Sequence, residues 1–239
     1  MGIFTNVQLS VFCNTTASVT PNQITKAMVE LNNLGINNFL PNVVNGQNLN
    51  LLSGKVEKVI NISFISTDQK YNIACLDRRV DISYNNSIND INGLKTILEE
   101  CTKLIDSMIE IYGFTANRLA ININILGKEH DKVLSDTKFK DLAKSLKYYD
   151  NKDIYEWSSR INTLEQIEIN NCEDVNVITE ITKLMTNNKI LQVLTHLDIN
   201  TAPTNAQFRF SKGDMSKFVE RMFPTIEELN NSFVEYDNE

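Results

Sequence analysis

Residues 118–126 read RLAININIL, in which Leu119, Ile121, Ile123 and Ile125 alternate with Ala120, Asn122 and Asn124. A helix would scatter those four apolar side chains around its circumference, whereas a strand places all four on one side. The segment therefore calls for a sheet with one packed face and one polar face, a condition that antiparallel sheets meet. The same period recurs in VQLSVFC (7–13), where Val7, Leu9, Val11 and Cys13 oppose Gln8 and Ser10.

Two helical patterns stand between these strands. In TPNQITKAMVELNNLG (20–35), Thr20 can cap, Pro21 takes the first helical position and Gln23 completes a capping box. Ile24, Ala27, Met28, Leu31 and Leu34 then form one stripe, and Gly35 supplies a left-handed stop. From about Ser87 to Tyr112, the residues Ile91, Leu94, Leu98, Cys101, Ile105, Met108 and Tyr112 keep helical spacing, and Gly113 ends the run. VEKVINISFISTD (56–68) and KYNIACLDRRVDISYN (70–85) read as two antiparallel strands joined by a tight turn around Asp68, Gln69 and Lys70. The turn formers of FLPNVVNGQNLNLLSGK (39–55) predict a loop or an irregular edge.

Beyond residue 127 the pattern predicts a helix over 135–150, strands over 154–169, 174–185 and 189–200, and helices over 211–223 and 225–236. Thr225 and Glu228 would cap the last of these directly after Pro224. The sum is an α+β protein with mainly antiparallel sheet and long helices packed on one face. It would be arranged as two βαβ-like halves, residues 1–128 and 129–239, or as one continuous domain, with GKEHDKVLS (127–135) as the candidate linker.

Thirty acidic against 23 basic residues give a formal net charge of -7, which disfavours nucleic acid and anionic membranes as partners. No apolar run is long enough to cross a bilayer, and the opening MGIFTNVQLS lacks the basic and apolar regions of a signal peptide, so a cytoplasmic location is expected. Cys13, Cys75, Cys101 and Cys172 are far apart in apolar surroundings and read as small buried hydrophobes, not a disulfide frame. The abundance of Asn, Ile and Lys suggests an AT-rich bacterial or phage genome.

Strand parity in ACLDRRVDISYN (74–85) sets Arg79 on a polar face between Asp77 and Asp81, where ion pairing is the natural outcome. Arg78 would share the opposite face with Leu76, Val80 and Ile82. A guanidinium there must meet a carboxylate, backbone carbonyls or an anionic ligand. For the ligand alternative, Arg78 and Arg118 are the candidate binding residues, with Arg209 as a third cation if the fold brings it near.

His130 and His196 lack metal-ligand spacing, and neither a Walker loop nor a dinucleotide-binding or nucleophile-elbow motif occurs, so no metal or cofactor is expected. One enzymatic pattern survives. Metal-dependent nucleases place an acid on one strand and acid-x-Lys on the next, so that two carboxylates hold Mg²⁺ while the lysine positions water. Glu57, Asp68 and Lys70 could fill those roles, although Asp68-Gln69-Lys70 is also ordinary turn chemistry. FRFSKGDMSKFVERMF (208–223) could stack and neutralise a nucleic-acid single strand, or could be an amphipathic helix that buries Phe218, Met222 and Phe223.

The stretches NNFLPNVVNGQ, INISFIS, CLDRRVDISYN, NRLAININIL and FPTIEELNNSF together resemble a sporadically distributed, uncharacterised bacterial family of about this length, the TIGR-type family. That resemblance implies an α+β fold and carries no assigned activity, so no catalytic residue transfers from it. The reading that emerges is a non-enzymatic interaction or accessory protein of a bacterial or phage assembly. It would bind a protein partner, or a second copy of itself, through sheet edges or the C-terminal helices. The alternatives are a metal-dependent nuclease or phosphoryl-transfer enzyme, and a binder of small anions.

Overall fold

The computed structural model describes residues 2–50, 55–130, 147–149, 152, 154, 156–185 and 191–238. Its strands are β1 (Ile3–Cys13), β2 (Phe39–Asn50), β3 (Lys55–Ser66), β4 (Tyr71–Leu76), β5 (Arg79–Tyr84), β6 (Ala116–His130), β7 (Ser158–Glu168), β8 (Cys172–Met185) and β9 (Leu191–Thr201). The helices are α1 (Pro21–Asn33), α2 (Ile91–Tyr112) and α3 (Asp214–Asn238), with a short 3-10 turn at Lys147–Tyr149. The strands form a nine-stranded sheet in the order β2-β3-β4-β5-β1-β6-β9-β8-β7, and every neighbouring pair is antiparallel. The protein is thus α+β with a mainly antiparallel sheet.

Alternation decides the two faces as expected. Val7, Leu9 and Val11 of β1 pair with Ile123, Ile121 and Leu119 of β6, and all six are buried. Leu197 and Ile199 of β9 continue the row opposite Ile123 and Ile121. These residues join one hydrophobic cluster with Ala27 and Leu31 of α1, Leu94, Leu98, Cys101, Ile105 and Met108 of α2, and Phe218, Met222 and Ile226 of α3. Contacts run from α2 to β1 and β5, from α1 to β2, and from α3 to β6 and β9. Tyr71 of β4 sets its ring edge-on against Phe39 and Tyr84, and its hydroxyl donates to Glu100 of α2.

The helix ends follow their local chemistry. The Thr20 hydroxyl oxygen accepts from the Gln23 amide at the start of α1, and Gly35 follows its end at φ +69°. The α2 helix begins at Ile91, later than the periodicity implies, because Asp90 caps it by accepting from the Gly93 amide. The preceding Ile88 is spent on a bridge to Phe4. Gly113 closes α2 at φ +67° with open space around its Cα. Gly113→Ala should therefore cost about 1 kcal/mol through backbone strain alone, readable as a lower urea midpoint with an unchanged m-value.

Four expectations change. KYNIACLDRRVDISYN is two strands, β4 and β5, because its buried positions change parity. Tyr71, Ile73 and Cys75 are odd-numbered, Val80, Ile82 and Tyr84 even-numbered, and only a reversal at Asp77-Arg78 puts both sets on one face. Residues 39–50 form the regular strand β2, since an edge position tolerates Pro41 and the asparagines while β3 supplies the pairing. A single α3 runs through Pro224, because the Thr225 hydroxyl donates to Glu165 of β7 at 3.2 Å and is not left to cap a new helix. Cys172 is exposed, while Cys13, Cys75 and Cys101 are buried. Burial pushes the Cys13 and Cys75 thiols up to about 12. Apart from the turn at 147–149, the helix expected over 135–150 lies outside the described residues.

Candidate functional site

The reversal after β4 redefines the arginine pair. An unbroken strand would set Arg78 on the apolar face, but Arg78 occupies the β4–β5 turn, exposed, at φ +51°. Its carbonyl accepts from the Cys13 amide, so its backbone is held while its side chain faces solvent. Arg79 behaves as parity suggests and meets Asp81 at 2.6 Å on the polar face.

Arg79, not Arg78, is the cation that the fold brings beside Arg118. Both are cross-strand neighbours of Phe12, and their guanidinium carbons stand 5.1 and 5.0 Å from the centre of its ring. Hydrogen bonds extend from this cluster along the polar side chains. Ser10 accepts from Gln8 and Arg79, Arg118 donates to Asn200 at 2.9 Å, and Asn200 donates to Asp198. Farther along, the His196 ring meets the Asn124 amide oxygen at 2.7 Å. The polar sides of β5, β1, β6 and β9 are therefore mostly self-satisfied. The exception is the Arg118 Nε, which is buried without a hydrogen-bond partner among the described residues.

Glu57 and Asp68 do not converge. Glu57 pairs with Asn48 through the backbone of β3, while Asp68 follows the far end of that strand, about 30 Å away at a rise of about 3.3 Å per residue. Asp68 instead builds the turn. It accepts from the Ser66 hydroxyl at 2.7 Å and the Lys70 amide at 3.1 Å, and it pairs with the Lys70 ammonium at 3.3 Å. Among the described residues no three His, Cys, Asp or Glu side chains gather in a group that could hold a metal.

The hydrogen bond from Ser66, followed by that from the Lys70 amide, holds the Asp68 carboxyl down at about 2, below the ordinary value near 3.9 for an unfolded chain. A depressed folded-state value contributes stability that is present above about pH 4 and is lost as pH falls towards 2. Asp68→Asn should lower the melting temperature modestly above about pH 4 and flatten that part of the acid-unfolding curve, the two proteins converging as pH falls towards 2. Melting temperatures of both proteins from pH 5 to pH 2 check this.

The remaining candidate cations are used within the fold. Arg209 forms a two-pronged pair with Glu173, at 2.7 Å from Nε and 2.5 Å from one terminal nitrogen, and its other terminal nitrogen donates to the carbonyls of Asn117, Asn205 and Gln207. Lys212 pairs with Glu110, Lys217 pairs with Asp214, and Phe218 and Met222 enter the core. From Asp214 onward the segment is an amphipathic helix, with Phe223 only half-buried against the core, while residues 208–213 precede the helix.

The sheet ends remain. Both outer strands are long, twelve residues for β2 and eleven for β7, and among the described residues neither has a partner on its outer side. In β2, Pro41 removes one backbone donor from the edge. The β7 sequence SSRINTLEQIE has no proline, and Ile161 and Leu164 are 60% and 63% exposed on its two faces. Behind Ile161, a groove of about 310 Å³ separates β7 from α3, lined by Thr163, Val177, Thr179 and Leu229 among others. The period-2 pattern marks β7 as a strand, but nothing local could mark it as the last strand of the sheet. No protein-family model matches the chain, and no curated protein matches it.

Proposed function

We propose that this protein is a non-enzymatic interaction module, an accessory component of a bacterial or phage assembly in the cytoplasm, that binds protein partners by extending its sheet. In this reading the helices of the described residues cover one face of the sheet and leave the polar face and the β7 edge for contact. The exposed, proline-free β7 edge carries the proposal. A long edge strand with exposed apolar residues is a template for strand addition, and proteins that do not use such an edge usually blunt it with lysine, proline or a bulge.

The test is photo-crosslinking in the native host from a benzophenone amino acid at Asn162. Protein adducts are expected, and they should disappear in an Ile161→Lys/Leu164→Lys variant that keeps the wild-type melting temperature. Absence of adducts, or Mg²⁺-dependent cleavage of DNA or RNA that Asp68→Ala abolishes, would overturn the proposal.

A second reading, a small anionic ligand, is favoured by one observation. Arg118 has no carboxylate partner among the described residues and stands with Arg79 against Phe12. Stabilisation by phosphate or nucleotides in a thermal-shift screen, removed by Arg118→Met but retained by Arg78→Met, would support it.

A further inference from the structure

The β7 edge also matches itself, and we infer that a second copy of this chain pairs with it. The inference rests on β7 being an open edge. When two copies meet across a two-fold axis normal to the sheet, each residue faces one of the same parity, so only registers centred on a residue keep both faces continuous. Parity here is set by the ladder to β8, where Arg160, Asn162 and Leu164 lie opposite Glu180, Ile178 and Asn176.

The possible centres differ sharply in chemistry. Centring on Asn162 sets Arg160 against Leu164, and centring on Thr163 sets Ile161 against Glu165. Centring on Glu165 sets that carboxylate against its own copy. Centring on Leu164 sets Leu164 against Leu164, Ile161 against Ile167, Asn162 against Gln166, and Arg160 against Glu168 at both ends. Apolar side chains then meet apolar ones, amides meet amides, and two opposite-charge pairs form on the polar face. Among the described residues neither Arg160 nor Glu168 has an ion-pair partner within its own chain, and both are exposed. Glu165, opposite Thr163 in this register, already accepts from Thr225. The product is one sheet running through two subunits, with the grooves beside Ile161 facing each other across the axis.

Light scattering should return twice the 27.2 kDa chain mass at high protein concentration. Arg160→Glu and Glu168→Arg each place like charges at both ends of the pairing, so each variant alone should dimerise at least about tenfold more weakly. Mixing the two variants should restore dimers, because the two carboxylates that the first variant carries at positions 160 and 168 then meet the two guanidinium groups of the second. A symmetric disulfide gives the register: in a Cys172→Ser background, Leu164→Cys should crosslink on oxidation, since directly opposed residues sit roughly 4.5–5.5 Å apart at Cα. Thr163→Cys should not crosslink.

A monomer at all concentrations overturns the inference, as does crosslinking through Thr163→Cys in place of Leu164→Cys, or mixed variants that stay monomeric. A monomer that still forms heterologous adducts from Asn162 leaves the broader interaction reading standing, whereas loss of both removes the two together.

Discussion

Arg209→Met is expected to lower the free energy of unfolding by about 3–5 kcal/mol, one of the two largest single-site effects anticipated in this protein. The substitution leaves the Glu173 carboxylate buried without its cation, and it strips a donor from the carbonyls of Asn117, Asn205 and Gln207. Because those carbonyls belong to β6 and to the segment leading into α3, the loss should be felt as global unfolding. Urea titration followed by far-ultraviolet circular dichroism measures it. Replacing both partners, Arg209→Met with Glu173→Leu, should recover part of the loss, since a buried charge with no partner costs more than two apolar side chains in its place. A loss below about 1 kcal/mol for Arg209→Met would mean that the pair is solvated and that Arg209 is available to a ligand after all.

The second large effect is expected from Phe218→Ala, at about 3–5 kcal/mol. Phe218 is fully buried where α3 joins the core, and removing its ring leaves a cavity that the surrounding sheet and helices can close only in part. Phe208, ten residues earlier in the same aromatic-basic stretch, is 46% exposed, and Phe208→Ala should stay within about 0.5 kcal/mol of wild type. The contrast between the two phenylalanines tests the position of α3 on the sheet directly. Equal losses would place the helix differently.

Arg78 shows where local reading stops. Its neighbours share one parity only if the strand is unbroken, and an unbroken strand would carry a guanidinium into the core. The chain avoids the cost by turning at Asp77-Arg78, a two-residue reversal that needs a left-handed backbone at a non-glycine position. No glycine or asparagine marks that turn, so the signal that normally announces a hairpin is missing. The turn at Asp68, by contrast, is legible because the aspartate side chain bonds the backbone two residues on, a contact that needs nothing from the rest of the fold. Pro224 shows the same limit from the helical side. Its sequence context reads as a helix boundary, yet α3 passes through it while Thr225 bonds a strand sixty residues away.

In this protein the period of β1, β6, α1 and α2, the apolar side of β1 and β6, the Thr20 cap of α1, the Gly113 stop of α2 and the Asp68 turn are all legible in the residues alone. All of these depend on interactions within a few residues or on the fixed two-residue repeat of a strand. The strand order that leaves β7 at an edge, the meeting of Arg79 with Arg118 across Phe12, and the pairing of Arg209 with Glu173 came from long-range packing. Those outcomes depend on which segments become neighbours. Many registers bury apolar residues about equally well in a single strand, and the whole sheet packing against its helices selects among them.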